Sequence, residues 1–289
     1  MIGYTAPSLS ACGRLIRLQN QTGTLLLLLP TLWALVLASR GFPPWRLTAI
    51  FIIGSFLMRS AGVVLNDLID RSLDRHVIRT RSRPLASGEL APVHAVAILI
   101  VLITLAAALL FFLDPMTAKL SPVAFLLAAL YPFAKRVIHI PQAMLGLAFG
   151  WGTIMAWSAV QGTLTATAWC LYAATLCWAI GYDTIYALQD RDDDHRIGVK
   201  SSAIFFGSLT WLAVGVTLGG MLLLLNLAGW LTQVGWLYYM VLLAVGCFCA
   251  WQVSLLRHNV SASTALSLFQ QHVWIGTAVL GGLLGGFLL

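Results

Sequence analysis

The chain has 289 residues, of which 60% are hydrophobic and only 9% are Asp, Glu, Lys or Arg. A soluble domain carries about 25% charged residues, so this chain cannot cover its surface with polar groups, and its solvent is predicted to be lipid. The net charge of +7 is explained by Arg and Lys in short loops, and no nucleic-acid partner is predicted. The five cysteines have neither disulfide nor metal-site spacing.

Nine apolar segments follow one another along the chain, and about 20 residues are enough to cross a bilayer as a helix. They predict an all-α, polytopic membrane protein with a single domain over 1–289. Asp114-Pro115, a turn signal, separates the third segment from the fourth. Three glycine pairs at four-residue spacing predict close helix packing: Gly146/Gly150, Gly215/Gly219 and Gly281/Gly285. The predicted spans are 23–39, 47–66, 91–113, 118–134, 141–160, 165–187, 204–228, 234–256 and 270–289.

The loop charges predict the orientation of the chain. Thirteen of the 17 Lys and Arg residues lie on the side of the N-terminus, which the positive-inside rule assigns to the cytoplasm. Nine spans then place the C-terminus outside. Nine of the ten acidic residues lie on the cytoplasmic side as well, and because the rule does not concern Asp or Glu, a function is expected to have gathered them.

A first acidic cluster closes the second span. Asp67, Asp70 and Asp74 have the spacing i, i+3, i+7, which places them on one helical face. Asn66 lies four residues before Asp70 and shares nearly the same face.

A second acidic cluster closes the sixth span. Asp183, Asp190 and Asp194 have the spacing i, i+7, i+11, again on one face, with Tyr186 beside them. Each cluster ends in Asp-Arg-x-x-Asp, so the same arrangement of residues occurs twice.

Converging carboxylates repel one another and lose hydration near a membrane, so their electrostatic energy is unfavourable. A divalent cation between them makes that energy favourable. Mg²⁺ prefers a few carboxylates together with phosphate oxygens of a substrate, so the clusters predict a Mg²⁺-bridged diphosphate. The alternatives are solvated loop charges that balance the Arg residues, and a cation or proton relay in a transporter. Four neighbouring basic residues are candidates to clamp phosphate oxygens: Arg71, Arg79, Lys135 and Arg136.

These motifs resemble those of the UbiA superfamily of membrane prenyltransferases, and several further stretches resemble its 4-hydroxybenzoate polyprenyltransferase group. The similarity runs from about Arg14 to Gly207. It rests on Asn66-Asp67-x-x-Asp70-x-x-x-Asp74, Asp183-x-x-Tyr186-Ala187-x-x-Asp190-Arg191-Asp192-Asp193-Asp194, Met58-Arg59-Ser60-Ala61-Gly62 and Tyr131-Pro132-Phe133-Ala134-Lys135-Arg136.

The resemblance implies a bundle of nine transmembrane helices around a central cavity that opens laterally to lipid, in a bacterial inner membrane. It implies transfer of a polyprenyl group from polyprenyl diphosphate to the ring carbon ortho to the hydroxyl of 4-hydroxybenzoate, a step of ubiquinone biosynthesis. Two Mg²⁺ ions would be held by Asn66, Asp70, Asp74, Asp190 and Asp194, and no protein partner is predicted.

The acceptor site is expected around Arg59, Asn66 and Tyr186, with Asp67 or Asp183 assisting catalysis. Arg59 lies seven residues before Asn66 on the same helical face, about two turns deeper. An Arg within a span costs roughly 2.5–3.5 kcal/mol on insertion scales, so Arg59 is predicted to bind the acceptor's carboxylate. The alternatives are a buried pair with an acid such as Asp183, or snorkelling.

One departure from the family lies before the first span. Relatives usually have a basic residue followed by Pro, an apolar residue and Gly, whereas this chain has Gln19-Asn20-Gln21-Thr22-Gly23. Any diphosphate contact made there in relatives is therefore not carried over. A relative with another acceptor and a cation-coupled transporter remain the alternative functions.

Overall fold

The computed structural model describes residues 8–288, apart from the side chain of Ile197. Within that range the chain forms helices without strands, and the longest connection between them is 75–91, between α4 and α5. Short 3-10 segments, Leu110–Phe112 and Gly207–Leu209, extend α5 and precede α11. The helices are α1 (Leu9–Leu15), α2 (Thr22–Ser39), α3 (Trp45–Ile69), α4 (Arg71–Asp74), α5 (Pro92–Leu109), α6 (Pro115–Val137), α7 (Pro141–Gln161), α8 (Ala166–Ala187), α9 (Arg191–Ile197), α10 (Ser202–Phe206), α11 (Thr210–Thr232), α12 (Trp236–Leu255) and α13 (Ala262–Leu288).

The predicted all-α fold is confirmed, whereas the count of nine spans is not. Nine helices of the described range have 18 residues or more, and eight helical segments there are both long and apolar enough to cross a membrane. The chain is therefore a multi-pass membrane protein. Helix α8 falls outside the eight because it carries Asp183 and several Thr, Tyr and Trp residues. It packs against α7 and α11 inside the bundle, so its side chains need not be as apolar as those that face lipid.

Two predicted spans have different limits in the structure. The seventh, predicted over 204–228, lies within the apolar helical segment Ser202–Thr232. Gly207, with a φ of 54°, interrupts that segment, so that α10 ends at Phe206 and α11 begins at Thr210. The last begins at Ala262 instead of 270, since its polar first turns continue the helix beyond the apolar stretch.

Tryptophans hold the centre of the bundle together. Trp33 of α2 and Trp178 of α8 are fully buried, with ring centroids 4.9 Å apart. Their indole nitrogens donate to the Gly276 carbonyl and to Nδ1 of His272, both on α13 and both at 2.9 Å. The polar end of each indole is thereby satisfied inside the core.

Only some members of the glycine pairs act as close helix contacts. A Cβ at Gly146 would lie 2.7 Å from Leu176 Cδ1, and one at Gly150 would lie 2.9 Å from Tyr172 Cδ2, so α7 and α8 approach closely there. A Cβ at Gly219 would meet nothing within 4 Å. Gly281 is equally open. Their partners do approach a neighbouring helix, because a Cβ at Gly215 would lie 3.4 Å from Val253 Cγ1 and one at Gly285 would lie 2.7 Å from Leu237 Cδ2, so one member of each of these two pairs is a close contact.

Candidate active site

A cavity of about 900 Å³ runs along α3 through much of the bundle. Its lining on α3 extends from Ile50 to Asp67, about 25 Å at 1.5 Å per residue. Its inner end carries charge, whereas its outer half, beyond Arg59, is apolar or uncharged. The charged lining residues are Arg17, Arg59, Asp67, Asp74, Arg79, Arg83, Lys135, Asp183, Asp190, Asp194 and Lys200.

Asp67 joins three segments of the chain by ion pairs. Its carboxylate is 1% exposed and accepts from Arg17 Nη2 at 2.8 and 3.0 Å and from Arg83 Nη1 at 3.0 Å. Arg83 also donates to Asp74 Oδ2 at 2.8 Å. Asp67 is therefore held by two guanidinium groups. Both come from segments outside α3, which the helical spacing of Asp67 does not predict.

Asp70 lies outside the cavity lining although it belongs to the same motif. Its side chain is fully buried and pairs with the Lys135 ammonium group. Arg136 Nη2 lies 3.7 Å from Asp70 Oδ1, an oxygen without a hydrogen bond. Lys135 itself lines the cavity, so this pair connects the acidic motif with the cavity wall.

The second cluster meets the loop that follows the first. Arg79 donates from Nε and Nη2 to the two carboxylate oxygens of Asp190 at 2.8 and 2.6 Å. Its Nη1 donates to the Tyr186 hydroxyl at 2.9 Å. This bidentate pair connects the second motif with the loop that follows the first.

Asp194 lies at the inner end without an ion-pair partner among the described residues. Burial and, to a smaller extent, the negative charge of Asp190 together raise the pKa of Asp194 to about 6. An additional positive charge is therefore favourable there, and Asn66 in the lining offers a neutral oxygen.

These donors fit a Mg²⁺ ion bound together with a substrate. Within residues 8–288, no three His, Cys, Asp or Glu side chains form a ready-made metal cage. Mg²⁺ does not need one, because one or two carboxylates and phosphate oxygens satisfy it. The buried Asp70 oxygen without a hydrogen bond and Asp194, unpaired among the described residues, are the two observations that favour a cation.

Arg59 starts from a position of α3 seven residues before Asn66, and its side chain reaches the first turn of α2. Its guanidinium crosses the backbone of α2 so closely that a Cβ at Gly23 would lie 2.6 Å from Nε and Nη2. Its buried Nε has no hydrogen-bond partner among the described residues. Asp183 also lines the cavity without an ion-pair contact to Arg59, so the predicted alternative of a direct Arg59–Asp183 pair is not seen.

Two of the predicted phosphate clamps do not line the cavity. Arg71 donates from Nε to the Leu85 carbonyl at 3.1 Å, and Arg136 donates to the Ile69 carbonyl at 3.0 Å. Both therefore cap the backbone around the site.

Other lining residues were missed by the sequence argument. Arg17 and Gln142 reach the cavity from outside the recognised motifs. Arg17 does so from a left-handed backbone conformation with φ 59° between α1 and α2, which no sequence pattern indicated.

A helical membrane bundle with a cavity that is charged at one end and apolar at the other is suited to a ligand with an anionic head and a lipid tail. The model of the UbiA prenyltransferase family matches residues 27–281. The chain belongs to this family.

Curated relatives cover nearly the whole chain. It is 47% identical over 272 residues to the 4-hydroxybenzoate octaprenyltransferase of Tolumonas auensis, with 94% of each chain covered. It is 43% identical to the enzyme of the same name from Klebsiella pneumoniae, with 97% of each covered. The resemblance stated from the motifs is thereby confirmed.

Solved structures show the same fold at lower identity. A UbiA homologue from Aeropyrum pernix K1 superposes with a TM-score of 0.75 at 21% identity, covering 93% of this chain and 98% of its own. A homologue from Archaeoglobus fulgidus, bound to DMAPP and Mg²⁺, gives 0.68 at 16% identity, covering 93% and 99%.

Proposed function

We propose that the protein transfers a polyprenyl group from polyprenyl diphosphate to the ring carbon ortho to the hydroxyl of 4-hydroxybenzoate, in a Mg²⁺-dependent step of ubiquinone biosynthesis. Relatives of that activity at 43–47% identity support the proposal. The single observation that carries it is Arg59, whose buried Nε has no hydrogen-bond partner and whose guanidinium forms no ion pair among the described residues, in a cavity rich in carboxylates and cations.

The inner end is suited to a diphosphate. Lys135 and Arg79 line the cavity and are each paired with an aspartate, Asp70 and Asp190. Both cations line the cavity, where they could also bind phosphate oxygens and would stabilise the charge that grows on the leaving group. We assign two Mg²⁺ ions to Asn66, Asp70, Asp74, Asp190 and Asp194; bound there, they supply Lewis-acid catalysis.

The acceptor is proposed to lie between Arg59 and the diphosphate, with Asn66 and Tyr186 in its wall. A guanidinium offers a carboxylate two parallel donors, which orients the ring so that its ortho carbon faces the breaking allylic bond. For removal of the ring proton the contacts favour Asp183, because Asp67 is already held by Arg17 and Arg83.

We further propose a bacterial inner membrane location with a cytoplasmic N-terminus and active-site loops and a periplasmic C-terminus. The supporting observation is that ten of the eleven charged cavity residues lie at the same end as the loops rich in Lys and Arg.

The experiment is incubation of membranes containing the protein with Mg²⁺, a polyprenyl diphosphate and a panel of aromatic acceptors, followed by mass analysis of the lipid products. Prenylated 4-hydroxybenzoate should form and should disappear in EDTA, whereas 4-hydroxybenzamide should react poorly. Preferred prenylation of a naphthoate or homogentisate would assign another acceptor. If the protein required an ion gradient and formed no prenylated product, the proposal would be overturned.

A further inference from the structure

The first turn of α2 contains a glycine that its own backbone does not require. Gly23 lies within the helix Thr22–Ser39 and is not one of the described glycines with a positive φ. Its backbone conformation therefore suits any L-residue. Glycine is also a weaker helix former than alanine, so the local structure of α2 would favour a side chain at this position.

Arg59 of α3 occupies the space beside Gly23. A Cβ at Gly23 would lie 2.6 Å from both Nε and Nη2 of Arg59 and 3.0 Å from its Cζ, which is too close for unbonded atoms. These atoms are the end of a flexible side chain, whereas α2 is a helix of 18 residues. A methyl group at position 23 would therefore displace the guanidinium and leave the helix in place.

The position of Arg59 is electrostatically unfavourable without an anion. The N-terminus of a helix carries a partial positive charge; the first turn of α2 has no acidic residue, and its N-cap residue Gln21 makes no capping hydrogen bond. Arg59 forms no ion pair among the described residues, and its buried Nε lacks a hydrogen-bond partner there. Asp183 interacts with Arg59 only over a longer distance. A carboxylate beside the guanidinium would therefore be stabilised by both positive charges.

The contact between Gly23 and Arg59 lies at the wall of the cavity. Both residues line it, so a ligand in the cavity can reach the guanidinium where it lies on α2. The next turn of α2 adds an apolar wall formed by Leu26 and Leu27. An aromatic acid suits this combination, because its ring can pack on the leucines while its carboxylate meets the guanidinium.

We propose that Gly23 is a positioning residue for the acceptor: because it has no side chain, the Arg59 guanidinium rests on the first turn of α2 and binds the carboxylate of the aromatic acceptor there. The start of α2 is then part of the acceptor site, and position 23 controls the preference for an acid over an uncharged acceptor. The inference rests on the proposed prenyl transfer, since it locates the carboxylate of that acceptor.

The first test adds one methyl group to the full-length protein. Gly23→Ala should raise the KM for 4-hydroxybenzoate by about tenfold and lower the preference over 4-hydroxybenzamide by a similar factor, while the KM for polyprenyl diphosphate stays within about twofold. The Tm should not fall, because alanine is the better helix former. The matched control is Gly219→Ala on α11, outside the cavity lining, where a Cβ meets nothing within 4 Å; both KM values should be unchanged. An unchanged acceptor KM for Gly23→Ala, or a rise in the donor KM instead, would overturn the inference.

The second test determines whether the methyl group acts through Arg59. In a double-mutant cycle, Gly23→Ala should change the acceptor KM by less than about twofold when Arg59→Ala is already present. A rise of about tenfold in both backgrounds would show that Gly23 acts independently of Arg59 and would overturn the inference. Equilibrium binding of radiolabelled 4-hydroxybenzoate to the purified protein gives the same comparison without turnover. Binding that Gly23→Ala weakens, in a protein that forms no prenylated product, would keep the carboxylate site and reject the proposed reaction instead.

Discussion

Arg59 differs in its contacts from the other cations of the cavity. Arg17, Arg79, Arg83 and Lys135 each form an ion pair with an aspartate, whereas the Nε of Arg59 is buried without a partner. A buried donor that lacks a partner costs about 1–3 kcal/mol. In the proposed acceptor site, a bound carboxylate would remove that cost.

Replacement of Arg59 should therefore act on the acceptor alone. Arg59→Lys keeps the charge but loses the two-pronged geometry, so steady-state kinetics should show the KM for 4-hydroxybenzoate raised by roughly ten- to a hundredfold. The KM for the donor, measured in the same assay, should change little. If Arg59→Ala preserved both the acceptor KM and the preference for a carboxylate, this role of Arg59 would be excluded.

The two motifs should also differ residue by residue. Asp190→Ala removes a cavity carboxylate that holds Arg79, and turnover should fall by about a hundredfold or more. Asp192→Ala is the matched control, because Asp192 is exposed on the same short helix and should retain activity. Gel filtration would verify that both variants are folded. Near wild-type turnover of Asp190→Ala at ordinary Mg²⁺ would reject the two-cluster site.

At the scale of single elements, the turn that the sequence predicts before α6 also stabilises the start of that helix. Asp114 caps the helix, with its Oδ1 accepting from the backbone N–H groups of Met116 at 2.9 Å and Thr117 at 3.0 Å. Partial desolvation opposes the shift, but these hydrogen bonds lower the pKa of Asp114. Because that pKa is depressed, the stabilisation is present above the unfolded pKa of about 3.9 and is lost as the pH falls through the folded value.

Loss of this cap should be measurable by unfolding in detergent. Asp114→Ala should lower the free energy of unfolding by about 1 kcal/mol at pH 7, and the difference should shrink below about pH 4. Asp114→Asn keeps a capping oxygen and should retain most of the stability. A loss that is independent of pH would show that the ionised carboxylate is not the cause.

The contact between α7 and α8 depends on one small residue. A larger side chain at Gly146 collides with Leu176, whose carbonyl oxygen would lie 3.0 Å from the new Cβ. Gly146→Leu should therefore cost about 1–3 kcal/mol through overpacking, seen as a lower Tm. Gly219→Leu, at a position with the same spacing pattern but open space, should be close to neutral. Equal shifts for both variants would contradict the close contact.

The sequence predicted the elements better than their contacts. Helical phase placed Asn66, Asp67 and Asp74 on one face, and all three line the cavity. It did not reveal that Asp67 is paired with Arg17, because that contact depends on a loop with a left-handed residue 50 positions away. It also placed Asp70 with the others, although Lys135 holds it away from the lining.

For the molecule as a whole, orientation is the property to test. In a background without the native cysteines, Arg81→Cys and His195→Cys should react with an impermeant label from the cytoplasmic side only. Thr163→Cys, next to the end of α7, should react only from the periplasmic side; Gly162 itself is avoided since its φ of 66° disfavours a side chain. Cytoplasmic labelling at Thr163 would reverse the proposed arrangement of α7 and α8.

The ion pairs of the inner end have a consequence for how the protein is made. The cavity lining contains six cationic and five acidic side chains, so the charges nearly cancel before any ligand arrives. Charged groups that cancel one another are far cheaper to hold at a membrane than isolated ones. Insertion and assembly of the bundle can therefore be complete before a divalent ion binds. The newly made protein can then remain folded in the membrane until metal and substrate reach it.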